Sequence, residues 1–518
     1  MVLPPKKANP KGGELQPSKT SVLAASIVDT YDGKIHIEWD PDAAVTPLGQ
    51  LPFFIQFLKI GGRFDPWVEE CPLVFNSNNA PQKVDVLGSL FLSILSGHKR
   101  YAHITSLMCD GVNPALLGMN KIVSEDSARR AVKKIDETTG ITWLQNHLQD
   151  CCVPLLKTPW ILDIDTTIKP LYGHQEDATK GYNPQKPGRP SHTYHTYMMA
   201  NLRLVLDVEV KAGDQSHSTH SLPGLMSLLN RLPADSKPAF VRGDIGFGTD
   251  TVMSDLEAIN QPYLFKLKKS KNVINLINKH HGVGEWTSVH PGWEAKFDDL
   301  MLQGWKEKRR VIIVRRKLSS NNLLGVELIA SNSKQLSFID GPENTKVYEY
   351  SVLITDRKDL DLPAIFHHYR DRADCENNFD ELKNQWGWGG YTSQDVKSCR
   401  LMSRIIALIY NWWNLYVRLA LPDQHHEAIT SRPLLLSSIG RQTKHSDKKT
   451  ITITSMHGKV DKLAKAYHRI SDIFNELKTI APQLTLNECW THLMQKIIDC
   501  FVKKFVIPDH SSVLIPTG

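Results

Sequence analysis

The chain reads as an α/β protein: a mixed sheet in its middle, interrupted by a β-rich stretch and flanked by helical N-terminal and C-terminal regions. Three observations predict this. Between residues 155 and 268, β-branched and aromatic runs come in the order strand, strand, strand, helix, strand, strand. Between 271 and 355 lie further β-like runs, at Glu285–Val289, Lys308–Arg316, Leu323–Ser331 and Val347–Thr355. Before and after this middle, apolar residues recur at helical spacing.

Composition bounds the function. The 518 residues are too many for one ordinary core, so about two to four domains are expected. Hydrophobic residues at 41% and charged residues at 23% describe an ordinary globular protein. The net charge of +7 is compatible with a nucleic-acid partner. Eight cysteines form no C-x-x-C pair, and no signal-peptide pattern opens the chain, so free thiols in a reducing cytoplasm are expected and a zinc module is not. The longest apolar run, Val84 to Leu95, includes Asp85 and Gly88 and is too short to span a bilayer, so no membrane partner is expected. Neither a Walker motif nor a dinucleotide fingerprint is present, which removes nucleotide hydrolysis.

Residues 1–20 are rich in Pro, Gly and Lys and read as a disordered basic arm. Helical patterns follow at Gln50–Ile60, Lys83–Gly97, Ser124–Ile135 and Thr142–Asp150, with a turn at Pro114–Gly118. In the segment SEDSARRAVKKI, Ser124 caps a helix whose acidic first turn is followed by Arg129, Arg130, Lys133 and Lys134. That pattern suits the recognition helix of a helix-turn-helix, and equally a dipole-matched surface helix.

Leu155–Asp165 is a strand closing on Asp163 and Asp165, a poor pair for a core and a good one for a cation. The loop that follows carries Lys180, Lys186 and Arg189, as a loop beside a DNA backbone should. Its histidines, 174, 192 and 195, have no adjacent cysteines or clustered carboxylates, which argues against zinc. Strands at Tyr197–Leu202 and Leu204–Lys211 and a helix near Leu222–Leu232 lead to AFVRGDIGFG, a buried strand ending at Asp244 in a glycine-rich turn. An acidic residue just past a strand's carboxyl end is where α/β sheets carry chemistry. A turn aspartate capping the next helix would look the same. Tyr263–Lys268 is one more strand.

Within the β-rich stretch the sharpest feature is Trp305 followed by KEKRRVIIVRRK. Arg309, Arg310 and the tryptophan suit contact with a DNA backbone or an unpaired base. A charged edge strand guarding against aggregation is the competing reading. Beyond it, FHHYRDRADCENNFDELKNQWGW (366–388) contains no helix breaker before Gly387 and predicts one helix. At about 100° per residue, Tyr369, Arg372, Glu376 and Lys383 fall within roughly 60° of one another. Cys375, Phe379, Leu382 and Trp386 form an apolar arc beside them, while Asp371, Asp374, Asn377, Asn378 and Glu381 are left for solvent. A solvated face with an Arg372–Glu376 ion pair would share this spacing. Ser398–Leu419 is a long helix whose Tyr410, Trp412, Trp413 and Tyr416 suit core packing. Residues 422–450 look irregular, and Asp461–Ile480 and Leu486–Val506 are amphipathic helices.

Tyr369-x2-Arg372-x3-Glu376-x6-Lys383 resembles the Tyr-Arg-Glu-Lys signature of bacterial insertion-sequence transposases of the DDE type. Asp165-Thr166-Thr167 resembles the site of that family's first aspartate, with Asp163 as the alternative, and the RGDxGFG context of Asp244 resembles the second. Gly173, Gln175, Gly181, Tyr182 and Asn183 match a loop found after the first aspartate in one branch of the family. The resemblance covers roughly 155–415 and implies an RNase H-like catalytic fold, with a β insertion before the glutamate.

It further implies that Asp165, Asp244 and Glu376 are the catalytic metal ligands, holding two Mg²⁺ ions, with Mn²⁺ an acceptable substitute. Tyr369, Arg372 and Lys383 would hold phosphates of the element's end. The expected organisation is a basic arm (1–20), a helical DNA-binding unit (21–150), a catalytic unit (151–270 and 356–420), a β-rich insertion (271–355) and a helical C-terminal unit (421–518). The expected activity is cut-and-paste transposition on double-stranded DNA by a homodimer in a synaptic complex, in a bacterial cytoplasm at the nucleoid. A non-cleaving DNA-binding regulator and a structure-selective nuclease that cuts without joining are the alternatives.

Overall fold

The computed structural model describes residues 24–40, 43–215, 218–281, 284–317, 348–446, 448–454 and 458–504. The expected basic arm at 1–20 and the expected strand at 323–331 lie outside the described residues. A hairpin of β1 (Ser26–Thr30) and β2 (Gly33–Ile37) opens the described chain, followed by the short β3 (Val45–Thr46).

Ten strands then make one mixed sheet. They are β4 (Ile161–Pro170), β5 (Thr179–Lys180), β6 (Pro190–Met199), β7 (Leu204–Ala212), β8 (Phe240–Gly243), β9 (Tyr263–Lys266), β10 (Thr287–His290), β11 (Trp293–Leu300), β12 (Arg309–Lys317) and β13 (Tyr348–Thr355). Their spatial order is β10-β11-β12-β13-β9-β8-β4-β6, and both β5 and β7 pair with β6. β4, β8 and β9 run parallel, and the other pairs are antiparallel. The parallel part follows from the connections: helix Ser218–Arg231 leads into β8, and helix Asp250–Ala258 carries the chain from β8 to β9. The strands read in the sequence from 285 to 355 are not a body apart. Through β13 they add to β9, so that sheet edge continues rather than ending.

The core is organised by the helix Val396–Ala420, in which every residue but Lys397 and Arg400 is buried. A helix apolar on all sides must be enclosed on all sides. It lies against β7 and helix Glu137–Cys152, and meets helices from both ends of the chain. Phe54 meets Trp413 edge-on at 5.1 Å and Trp67 meets Trp412 at 5.5 Å, while Phe57 and Trp490 stand 5.3 Å apart. One contiguous apolar cluster therefore runs from Leu48 to Ile498. The boundaries expected at 150 and 421 do not divide it. The polar stretch after 422, expected to be irregular, forms helix Ala428–Leu435 and a hairpin of β14 (Gly440–His445) and β15 (Lys448–Ile453). β14 pairs with β3, tying the C-terminal region to the N-terminal one.

Two elements depart from the sequence reading near the site. β4 starts and ends later than expected, so Asp165 lies inside the strand, which continues to Pro170. The expected single helix over 366–388 is two: Leu362–Arg370, capped by Asp361, and Ala373–Asn384. The cause is local. The His368 carbonyl, which the Arg372 N–H would take in an unbroken helix, accepts instead from the buried Arg242 guanidinium, and the Arg372 N–H turns to the Tyr369 carbonyl at 3.2 Å. Gly387, at φ +102°, then ends the second helix in a conformation that favours glycine.

Candidate active site

The site grows from the parallel pair β4 and β8. Their register sets Asp163 beside Arg242 and Ile164 beside Gly243, so Asp165 comes next on β4 and Asp244 is the first residue past the end of β8. Side chains alternate along a strand, and the two aspartates of β4 meet different surroundings. Asp163 is buried and takes two hydrogen bonds from the Arg242 guanidinium, Nε to Oδ1 at 2.5 Å and Nη2 to Oδ2 at 2.7 Å. It is the counter-charge of a wholly buried arginine. Asp165 is 12% exposed, and its Oδ2 accepts from Arg372 Nη2 at 2.5 Å. Asp244, in the turn after β8, accepts the Gly246 N–H at 2.8 Å and does not cap the helix that follows.

Burial raises the Asp165 carboxyl to about 6, and the neighbouring Asp244 charge pushes the same way while Arg372 opposes both. Tyr369 belongs to the same cluster: burial lifts its hydroxyl to about 12, with Arg372, Asp244, Arg242 and Asp165 all acting on it. Burial lowers Lys383, and the charges of Asp380 and then Asp165 partly offset that. The structure thus gathers Asp165, Asp244, Tyr369, Arg372 and Lys383, although the last three do not share one helix. Glu376 lies on helix Ala373–Asn384, but its side chain falls outside the described residues, as do those of Asp374 and Cys375.

The expected apolar arc holds for Phe379, Leu382 and Trp386, all buried. The side assigned to solvent does not. Asn378 is buried and bonded to Tyr410 at 2.8 Å, and Glu381 is buried. Glu381 accepts from Trp386 Nε1 at 3.1 Å and the Ala428 N–H at 3.0 Å, and pairs with His425 at 3.0 Å. This side is covered by helix Val396–Ala420, through Tyr410, and by helix Ala428–Leu435 and its approach, read as irregular chain.

The remaining candidates scatter. Arg189 is exposed, with its guanidinium 4.8 Å from the ring of Tyr172, which Lys186 also approaches at 5.0 Å. Arg129 and Arg130 are exposed on helix Glu125–Lys134, capped by Ser124 as read, and both face Asp126, at 2.6 and 4.0 Å. Arg309 is a correction. It is buried, with Nε and Nη2 each 2.8 Å from Glu257, Nη1 2.6 Å from Asp250 and Nη2 3.1 Å from Ser254. Trp305 is nearly buried beneath it. Arg310 stacks on Phe297 at 3.7 Å and donates to the carbonyls of Arg357 and Leu360. β12 is an interior strand with both faces covered, so it is no charged edge, and these residues hold the sheet together rather than face outward. His192 and His195 are buried on β6, with ring nitrogens bonded to the carbonyls of Glu176 and Gln215, and His174 is exposed.

Sequence reasoning missed the Asp163–Arg242 pair. Its signal was Arg242 itself, a charge inside a buried strand that required an acid on a neighbouring strand. Two carboxylates sharing one partly desolvated corner, one raised to about 6 by burial and by the charge of the other, are hard oxygen donors that suit a divalent cation. Among the described residues no three metal-binding side chains converge.

Comparison with curated protein sequences finds no relative. Among solved structures, the piggyBac transposase synaptic complex with hairpin DNA, determined by cryo-EM, aligns at 11% identity and a TM-score of 0.35, covering 90% of this chain and 87% of that one. The profile of the family described as transposase DDE domain, group 1, matches residues 81–474, and the chain belongs to this family of DDE transposases.

Proposed function

We propose that the protein is a DNA transposase of an insertion sequence, cutting at the element's ends and joining the 3′-hydroxyls to target DNA. The observation that carries this is the nearness of Asp165, on β4, to Asp244, in the turn just past the parallel strand β8, with Arg372, Tyr369 and Lys383 in the same electrostatic cluster. The strand order β7-β6-β4-β8-β9, three antiparallel strands followed by two parallel ones, supports an RNase H-like catalytic unit.

Asp165 and Asp244, with Glu376 from the next helix, would hold divalent ions, Mg²⁺ or Mn²⁺. Such ions activate a water or a 3′-hydroxyl and stabilise the leaving oxygen in an in-line displacement. The chain's own part is to hold the phosphate. Arg372 offers a planar guanidinium, Lys383 a point charge on the second helix, and Tyr369 a hydroxyl kept protonated well past neutral pH. Arg189 and Lys186 beside Tyr172 would extend that hold along the backbone, and Arg129 and Arg130 would contact DNA from the N-terminal helices. A homodimer on paired ends is the proposed working form.

The test is cleavage and strand transfer on a duplex carrying the element's own ends, with Mg²⁺. Asp165→Ala, Asp244→Ala and Glu376→Ala should each abolish cleavage while DNA binding persists. Cleavage without joining in the wild type would favour a structure-selective nuclease, and binding without cleavage a regulator.

A further inference from the structure

The glycine-rich turn Gly387–Tyr391 joins three parts of the molecule that the sequence keeps far apart. Lys169, on the strand that carries Asp165, donates from Nζ to the Gly390 carbonyl at 2.5 Å. The Gly389 N–H returns to the Lys383 carbonyl at 3.2 Å, closing the end of the signature helix. The Tyr391 N–H donates to the Lys99 carbonyl at 2.7 Å. The approach is close enough to need glycine, since a Cβ on Gly390 would stand 1.9 Å from the Lys99 carbonyl oxygen.

The loop so docked is His98-Lys99-Arg100, at the C-terminal end of helix Lys83–Leu95. It is held on its other side as well. Ser93 Oγ bonds both His98 Nδ1, at 3.0 Å, and the Tyr391 hydroxyl, at 2.8 Å, and the His98 N–H donates to the Ser93 carbonyl. The ring of Tyr101 packs edge-on against Tyr391 at 5.3 Å. Lys99 and Arg100 are exposed, and among the described residues neither side chain has an ion pair or hydrogen bond. Arg129 and Arg130, by contrast, have acidic partners on their own helix. Two uncompensated cations on a loop fixed by buried contacts carry little ordering cost on binding an anion.

We propose that Lys99 and Arg100 form a second phosphate-binding element, set next to Lys383 by the Gly387–Tyr391 turn, so that a DNA strand held at the active site continues across them. This rests on the reading of the protein as an enzyme acting on DNA. A phosphodiester backbone is a run of single negative charges, and each cation that meets one releases condensed counterions, with a log–log salt slope of about −0.9 per contact.

The experiment is a salt titration of binding by the full chain to a labelled duplex of mixed sequence, read by fluorescence anisotropy. Lys99→Gln and Arg100→Gln should each make the slope shallower by about 0.9, and the double variant by nearly twice that, with unchanged melting. Gly390→Ala keeps both cations and should lose a similar increment because the loop is displaced. Should it not fold, Ser93→Ala, which removes the hydroxyl bridging His98 and Tyr391, takes its place. A wild type that binds steeply and a double variant with the same slope overturn the proposal and leave the transposase reading standing. A wild type without salt-dependent binding overturns both.

Discussion

Two corners of the sheet contain the same ingredients, two carboxylates and an arginine, in opposite electrostatic states. Around β12, Arg309 bonds Glu257 and Asp250 together. The arginine is held charged by Glu257 above all, and Glu257 titrates below its usual value because the bonds from Arg309 and Tyr263 outweigh its burial. Around β4, Arg372 reaches one oxygen of Asp165, and burial with the nearby Asp244 charge leaves that carboxyl at about 6. The first corner is satisfied by the chain itself. In the second, burial outweighs Arg372 and the Asp165 carboxyl stays raised, the state that the proposed cation site would use.

The difference can be broken from either side. The largest stability effect should come from Asp163→Asn, beside the site but belonging with the satisfied class. It leaves Arg242, a wholly buried guanidinium, without its counter-charge, at a cost of about 3–5 kcal/mol in urea unfolding. If Asp163→Asn unfolds like the wild type and abolishes cleavage, Asp163 and not Asp165 is the ligand. Arg309→Met should cost less, about 2–3 kcal/mol, because Asp250 and Glu257 keep 21% and 24% of their side-chain surface in water. The same variant should retain salt-dependent DNA binding. A loss of binding with no loss of stability would return Arg309 to the DNA-facing class.

Much of this was legible in the residues, and the gaps have physical causes. The order of strands around Asp165 and Asp244 followed from short β-branched runs bounded by glycine and proline. The cap at Ser124 is local chemistry that a sequence displays directly. Legibility ended where a distant side chain decides. The signature helix breaks because Arg242, over a hundred positions earlier, takes the His368 carbonyl, which no helical periodicity reports. Asn378 and Glu381 looked solvent-facing because their partners, Tyr410, His425 and the Ala428 N–H, lie on later elements. Arg309 and Arg310 read as a DNA-facing patch because their neutralising groups lie on helix Asp250–Ala258, on Phe297 and on the carbonyls of Arg357 and Leu360.

The central claim is that the Asp165–Asp244 corner is built for a divalent cation, and its most direct test is the unfolding temperature of wild type and Asp165→Asn, with and without Mn²⁺, on either side of about pH 6. The sign follows from Asp165 titrating higher in the fold than its ordinary value of 3.8: the native state then binds the proton more tightly. Its stabilising contribution is fully present below 3.8 and lost as pH rises through about 6. Without metal, the wild type should therefore lose stability relative to Asp165→Asn across that window. Above it, Mn²⁺ should raise the wild-type unfolding temperature, as a ligand that binds only the native state must, and leave Asp165→Asn nearly unmoved. Equal shifts in both proteins, or none in either, would contradict the account.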